Sequence, residues 1–137
     1  MITHGICLEA KKAFLFGVHQ PGDDYRIAFY GRDAKIGPNT RSYTTAGEIT
    51  GKGYPVGGVL LKGFRNGMAG KNAYVTFSDV VLDNATFSAS GALIYNASKD
   101  GATLCVLNFG AERHVTDGKF ELKFPIPTAN QALILLA

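Results

Sequence analysis

Lys119-Phe-Glu-Leu-Lys-Phe124 alternates charged and apolar residues without a break, so that Phe120, Leu122 and Phe124 fall on one side and Lys119, Glu121 and Lys123 on the other. A period of two is the pleat of a β-strand, and an α-helix would scatter these residues around its circumference. Weaker versions of the signal recur. Residues 86–95 place Phe87, Ala89, Gly91, Leu93 and Tyr95 on one face and Thr86, Ser88, Ser90, Ala92 and Ile94 on the other. Residues 103–109 are nearly continuous apolar, as in a central strand covered on both faces. Residues 25–30 follow a Pro-Gly-Asp-Asp turn and read as a half-buried strand rich in aromatic and branched side chains. Shorter strands are expected at 59–62, 73–77, 80–82 and 132–136, separated by Gly- and Asn-containing turns.

Only residues 6–18 carry a helical pattern, with Cys7, Ala10 and Phe14 on a shared face and Gly17 placed to stop the helix. Many short strands and one early helix predict an all-β fold: an antiparallel β-sandwich, with a jelly-roll variant fitting equally well, and one short N-terminal helix. At 137 residues the chain fits a single domain spanning 1–137. Residues 31–58 form a long connection rich in Gly, Pro, Asn, Ser and Thr, and a loop of that length in a compact domain is usually functional.

Apolar residues make up 46% of the chain and charged residues 18%, which excludes a disordered polymer and suits a surface covered by neighbours. The net charge of +3 comes from scattered residues, without the clustered Lys and Arg that a nucleic-acid partner demands. Met1-Ile-Thr-His-Gly-Ile-Cys-Leu has neither the basic region nor the apolar stretch of a signal peptide, and no run is long enough to span a membrane. The expectation is a protein made and kept in a cytosol-like compartment.

Chemistry-bearing residues are sparse. His4 and Cys7 form an H-x-x-C, but His19, His114 and Cys105 complete no zinc-ligand spacing. Cys105 with His114 is the one nucleophile–base pair to consider, and Cys105 at mid-strand reads better as a small core residue. Cys7 and Cys105 read as buried free thiols, with a disulfide left open. Asp23, Asp24, Asp79 and Asp83 sit at turns and strand ends. Residues 51–58 are glycine-rich but lack the Lys-Ser/Thr of a phosphate-binding loop. Asn84-Ala-Thr86 and Asn96-Ala-Ser98 match the glycosylation pattern without a secretion signal beside them. No cofactor, metal or catalytic residue is expected, and the chain is not expected to be an enzyme.

Several segments together resemble a known family. Asp24-Tyr-Arg-Ile-Ala-Phe-Tyr30, Tyr43-Thr-Thr-Ala-Gly-Glu-Ile-Thr-Gly-Lys-Gly-Tyr-Pro-Val-Gly-Gly58, Asn84-Ala-Thr-Phe-Ser-Ala-Ser-Gly-Ala-Leu-Ile-Tyr-Asn96 and Val106-Leu-Asn-Phe-Gly110 are similar to small virion proteins encoded beside the capsid genes of tailed bacteriophages. The likeness covers nearly the whole chain, although relatives often carry a Trp before the Asn84 segment where this chain has Leu82. It implies a structural role in the virion, first as a capsid decoration or cement protein on the head surface that bridges copies of the major capsid protein. A tail or neck component is the alternative station, and association as a dimer or trimer is expected. Contact surfaces are expected on the N-terminal segment, at Ile6, Leu8, Phe14 and Phe16, and on the long loop, at Tyr43 and Tyr54. The two tyrosines also admit a receptor- or carbohydrate-binding module.

Overall fold

The computed structural model describes residues 1–125 and 133–136. It is mostly β, with antiparallel sheets and one short helix, as expected. Strands β1 (Gly5–Ile6), β2 (Tyr25–Tyr30), β3 (Val59–Leu60), β6 (Val80–Asn96) and β7 (Ala102–Leu122) form a five-stranded sheet in the order β1-β7-β6-β2-β3. Strands β4 (Arg65–Ala69), β5 (Asn72–Thr76) and β8 (Ile134–Leu136) form a three-stranded sheet in the order β4-β5-β8. Of the strand expected at 132–136, Ala132 lies outside the described residues.

Helix α1 spans Leu8–Leu15, shorter than the expected 6–18. Ile6, β-branched and better suited to a pleat, pairs instead with Cys105, and Cys7 is extended at the helix start. Cys7 and Ala10 are buried and Phe14 is half-buried, so the apolar face has the anticipated composition. The chain leaves the helix through Gly17, whose amide donates to the Phe14 carbonyl.

The framework is the β6–β7 pair. Residues 80–82 and 86–95 belong to one strand, and β7 runs unbroken through 110–118, a stretch whose polar sequence gave no strand signal. Those residues are extended because β6 supplies their backbone partners, from Ala85↔Gly118 to Ala89↔Arg113. Between Ala89↔Arg113 and Gly91↔Asn108, β6 advances two residues while β7 advances five. This irregularity reverses the face assignment beyond Ser90. Phe87 and Ala89 share the core between the sheets with Ala92 and Ile94, whereas Leu93 and Tyr95 belong to a second core on the opposite face. A strict period of two along 86–95 is therefore corrected to two phases. Gly91 stands at the shift with no room for a side chain, since a Cβ there would lie 2.7 Å from the Leu107 carbonyl oxygen and 2.8 Å from Ile2.

The first core joins Tyr25, Ile27 and Phe29 of β2 and Phe87 of β6 to Val75, Phe77 and Ile134 from the three-stranded side. Across the sheet, Ala28, Tyr30, Leu93, Tyr95 and Val106 are covered by Ile2, Cys7, Ala10, Ala34 and Ile36. Strand β2 is consequently buried on both faces rather than half-buried, with only Arg26 partly exposed. No helix among the described residues is long and apolar enough to cross a membrane.

Candidate functional site

Helix α1 docks through a narrow stripe, because Cys7, Ala10 and Phe14 recur at three- and four-residue spacing and face inward together. Its remaining apolar residues have nowhere inside to go. Leu8 is 52% exposed, Leu15 87% and Phe16 71%, and the Lys12 ammonium lies 5.7 Å from the Phe16 ring centroid. Leu15 and Phe16 are adjacent at the helix exit and Leu8 stands two turns away at its start, so this short segment presents a candidate contact surface. Sequence position points to Leu8 and Phe16 but not to Leu15, the most open of the three. Ile6 lies half-buried in β1, and Phe14 is turned inward with its ring centroid 5.0 Å from that of His19.

The 31–58 connection is organised around Glu48. Its carboxylate accepts the Tyr43 and Tyr54 hydroxyls and the Gly57 amide at 2.9 Å. Tyr54 in turn accepts the Phe29 amide at 3.1 Å, and the Ile49 amide donates to the Phe29 carbonyl at 3.0 Å. The loop thus supplies partners to β2 where β3 has ended, as a further strand would. Tyr43 stacks on Tyr95 with centroids 4.6 Å apart, and the Tyr95 hydroxyl donates to the Gly57 carbonyl. Burial pushes the Tyr43 and Tyr54 hydroxyls far above the usual phenol range, and their bonds to Glu48 add to the shift. Tyr54, expected as an exposed contact, is 6% exposed and stacked on Phe29. Its hydroxyl has a buried donor and acceptor to serve, which explains a tyrosine in the interior. The sequence sets Glu48 within the Gly47-Glu-Ile-Thr-Gly-Lys-Gly-Tyr54 run but assigns it no role.

Cys105 and His114 do not meet. Cys105 is buried in the sheet, while His114 lies nine residues along the same strand on an open surface. The His114 ring instead has Ser88 Oγ at 2.6 Å from Nδ1 and Glu112 Oε1 at 3.2 Å from Nε2. Ser88 and His114 are cross-strand neighbours, and with the imidazole 65% exposed, water competes for each bond. His4 Nδ1 accepts the Asn108 amide, and no group of three metal-ligating side chains exists among the described residues. Cys7 and Cys105 are free and buried, and burial raises both thiols above their ordinary value. Asp79 accepts the Phe124 amide at 2.9 Å, a strand-end role. Asn96, half of one glycosylation pattern, is fully buried. At the β6–β7 irregularity, an open cleft of about 760 Å³ is lined by Arg32, Asp33, Lys35, Ser90, Asn108 and Glu112, a mixture of charges that selects no single ligand class.

Asn96 fixes the protonation state of His19. One amide hydrogen points at His19 Nδ1 (3.1 Å), the other at Asp23 Oδ2 (2.8 Å), and Oδ1 accepts the Ser98 amide. His19 Nδ1 must therefore be an acceptor, which makes the ring neutral with its proton on Nε2, buried without a partner among the described residues. Burial among Phe14 and Tyr25 holds its pKa below the ordinary imidazole value, opposed by the Asp23 carboxylate and assisted by the Lys99 ammonium. Hydrogen bonds from Lys99 and Asn96 hold Asp23 at about 2. Both shifts have one sign for stability: the unfolded chain binds protons that the folded chain refuses. The His19 contribution is complete above pH 6.5 and declines below it, and the Asp23 contribution declines from pH 3.8 toward 2. Thermal melts should show a midpoint that falls between pH 7 and 5, with a shallower fall in His19→Gln. A wild-type midpoint that is flat over that window contradicts this assignment.

Comparison with protein-family models, with curated proteins and with solved structures finds no match.

Proposed function

We propose that the chain is a structural protein of a tailed-bacteriophage particle, one that binds the major capsid protein on the head surface and cements neighbouring subunits. The virion setting comes from the resemblance of its loop and strand segments. The observation that carries the adhesive role is the exposed apolar group of α1 and its exit, Leu8, Leu15 and Phe16, mounted on a sheet whose centre is covered on both faces. Such a mount holds the contact residues in place before binding, which lowers the ordering cost of association. One copy needs only a modest interface, because repetition over a shell multiplies weak contacts. The carbohydrate-binding alternative is less favoured: Tyr54 is inside the core, and Tyr43 presents one ring face to Tyr95 rather than to solvent. Sugar binding by the isolated protein on a glycan array would restore that alternative.

Particles prepared with and without the protein, heated while genome release is followed by dye fluorescence, test the cement role. Complete particles should release DNA at a higher temperature than depleted ones. Equal release temperatures, or recovery of the protein with tails instead of heads, would overturn the assignment to the head.

A further inference from the structure

We propose that β4 joins two copies of this chain by antiparallel pairing across a two-fold axis at Gly67, so that the three-stranded sheets become one six-stranded sheet. The inference stands apart from the capsid role and needs no partner but the chain itself.

Strand edges elsewhere in the fold are short, occupied, or interrupted and charged: the outer sides of β7 beyond Val106 and of β6 before Gly91 have no described strand beside them, but register shifts break both arms, and β7 carries Glu112, Arg113, Lys119 and Glu121 there. β1 and β3 have two residues each, and the loop has taken over the free side of β2 at Phe29. β4 is different: it has five residues, pairs with β5 from Arg65↔Thr76 to Ala69↔Asn72 without a register shift, and has no described strand on its other side. It carries no proline or bulge, and its one charged side chain, Arg65, stands at its end. These are the devices by which exposed edges are usually blunted.

The hairpin closes through a two-residue turn at Gly70-Lys71, which makes Ala69↔Asn72 a hydrogen-bonded pair. Pairs then alternate, so Gly67↔Tyr74 and Arg65↔Thr76 are hydrogen-bonded too, and the peptide groups of Asn66 and Met68 point away from β5. Two outward residues flanking a glycine form a self-complementary edge. An axis through Gly67 sets Asn66 against the second copy's Met68, and Met68 against its Asn66, for four backbone hydrogen bonds. The same axis sets Arg65 against Ala69, so no like charges meet.

Side chains point to the same occupant. Asn66 and Met68 share a face with Val75, a core residue, because residues paired across a ladder lie on one side of the sheet. Met68 nevertheless remains 65% exposed, above an open groove of about 330 Å³ that Phe14 and Val75 help to line. No described residue covers the core along this edge, where a second copy's Met68 and Asn66 would lie.

Light scattering on the purified full chain at tens of micromolar should give twice the monomer mass, falling on dilution. Met68→Pro removes an outward amide while sparing the β4–β5 ladder, and should give a monomer with an unchanged circular dichroism spectrum. Gly67→Cys brings two thiols together at a non-hydrogen-bonded pair; mild oxidation should yield a covalent dimer that wild type, with both cysteines buried, does not form. A Cβ at Gly67 meets the far end of the Tyr74 ring at 3.1–3.3 Å, which a small ring movement relieves. Should Met68→Pro fail to fold, the cross-link decides. A wild-type monomer at all concentrations, or a dimer with no Gly67→Cys cross-link, overturns the proposal.

Discussion

Phe29→Ala should lose about 3–5 kcal/mol of stability, the usual cost of deleting a fully buried aromatic side chain and leaving its cavity. Phe29 is completely buried at the point where the loop, the central sheet and the far arm of β7 converge. Its ring centroid lies 5.2 Å from Phe120, 5.5 Å from Tyr54, 5.9 Å from Phe87 and 6.3 Å from Phe109. Four aromatic neighbours from the loop, β6 and two distant positions of β7 cannot all close on one vacancy, because each is held by its strand or by Glu48. Domains of this size are stable by about 5–15 kcal/mol, so this one change consumes a large share of the total. Urea unfolding is the measurement, with a lower midpoint and an unchanged slope expected. Phe29→Leu should lose about half as much, because most of the apolar volume remains. A loss below about 1 kcal/mol for the alanine variant would mean the cluster is loosely packed.

The sequence was most legible where a single rule decided the outcome. Phe120 and Phe124 are buried while Lys119, Glu121 and Lys123 are exposed, as a one-sided pleat demands. Cys7, Ala10 and Phe14 share the inward side of α1. Legibility failed where long-range structure overrode local pattern. Residues 86–95 carry two phases because three extra residues of β7 intervene opposite Ser90, and nothing local to β6 announces that insertion. Strand β4, Arg-Asn-Gly-Met-Ala, has little strand propensity and exists because β5 pairs with it. The interior place of Tyr54 is hidden in the sequence for a related reason. An aromatic beside proline in a glycine-rich loop resembles a surface contact until the Phe29 amide and the Glu48 carboxylate are seen to need its hydroxyl.

The candidate surface was partly legible in the same sense. Leu8 and Phe16 were identified from the position of the helix, yet which apolar residues stay outside depends on how far the helix extends. An eight-residue helix leaves Leu15 and Phe16 at its exit, beyond the reach of the stripe that docks on β7. Tyr43 is occupied internally by Tyr95 and Glu48, which moves the weight of the proposed contact from the loop to the helix.

The second large effect follows from that shift. Exposed apolar residues that become buried at an interface contribute as hot spots, each worth about 2 kcal/mol or more when truncated, while contributing little to the fold. Leu15→Ser with Phe16→Ser should therefore weaken attachment to capsids by roughly several-hundred-fold, two losses of about 2 kcal/mol each at tenfold per 1.4 kcal/mol. The urea midpoint should be unchanged, because neither side chain is part of a core. The decisive measurement is re-binding of the two proteins to particles stripped of their own copies, quantified by sedimentation against protein concentration. Saturable attachment of wild type and its loss in the equally stable double variant is the predicted result. Equal attachment of both, or none by either, would contradict adhesion through α1.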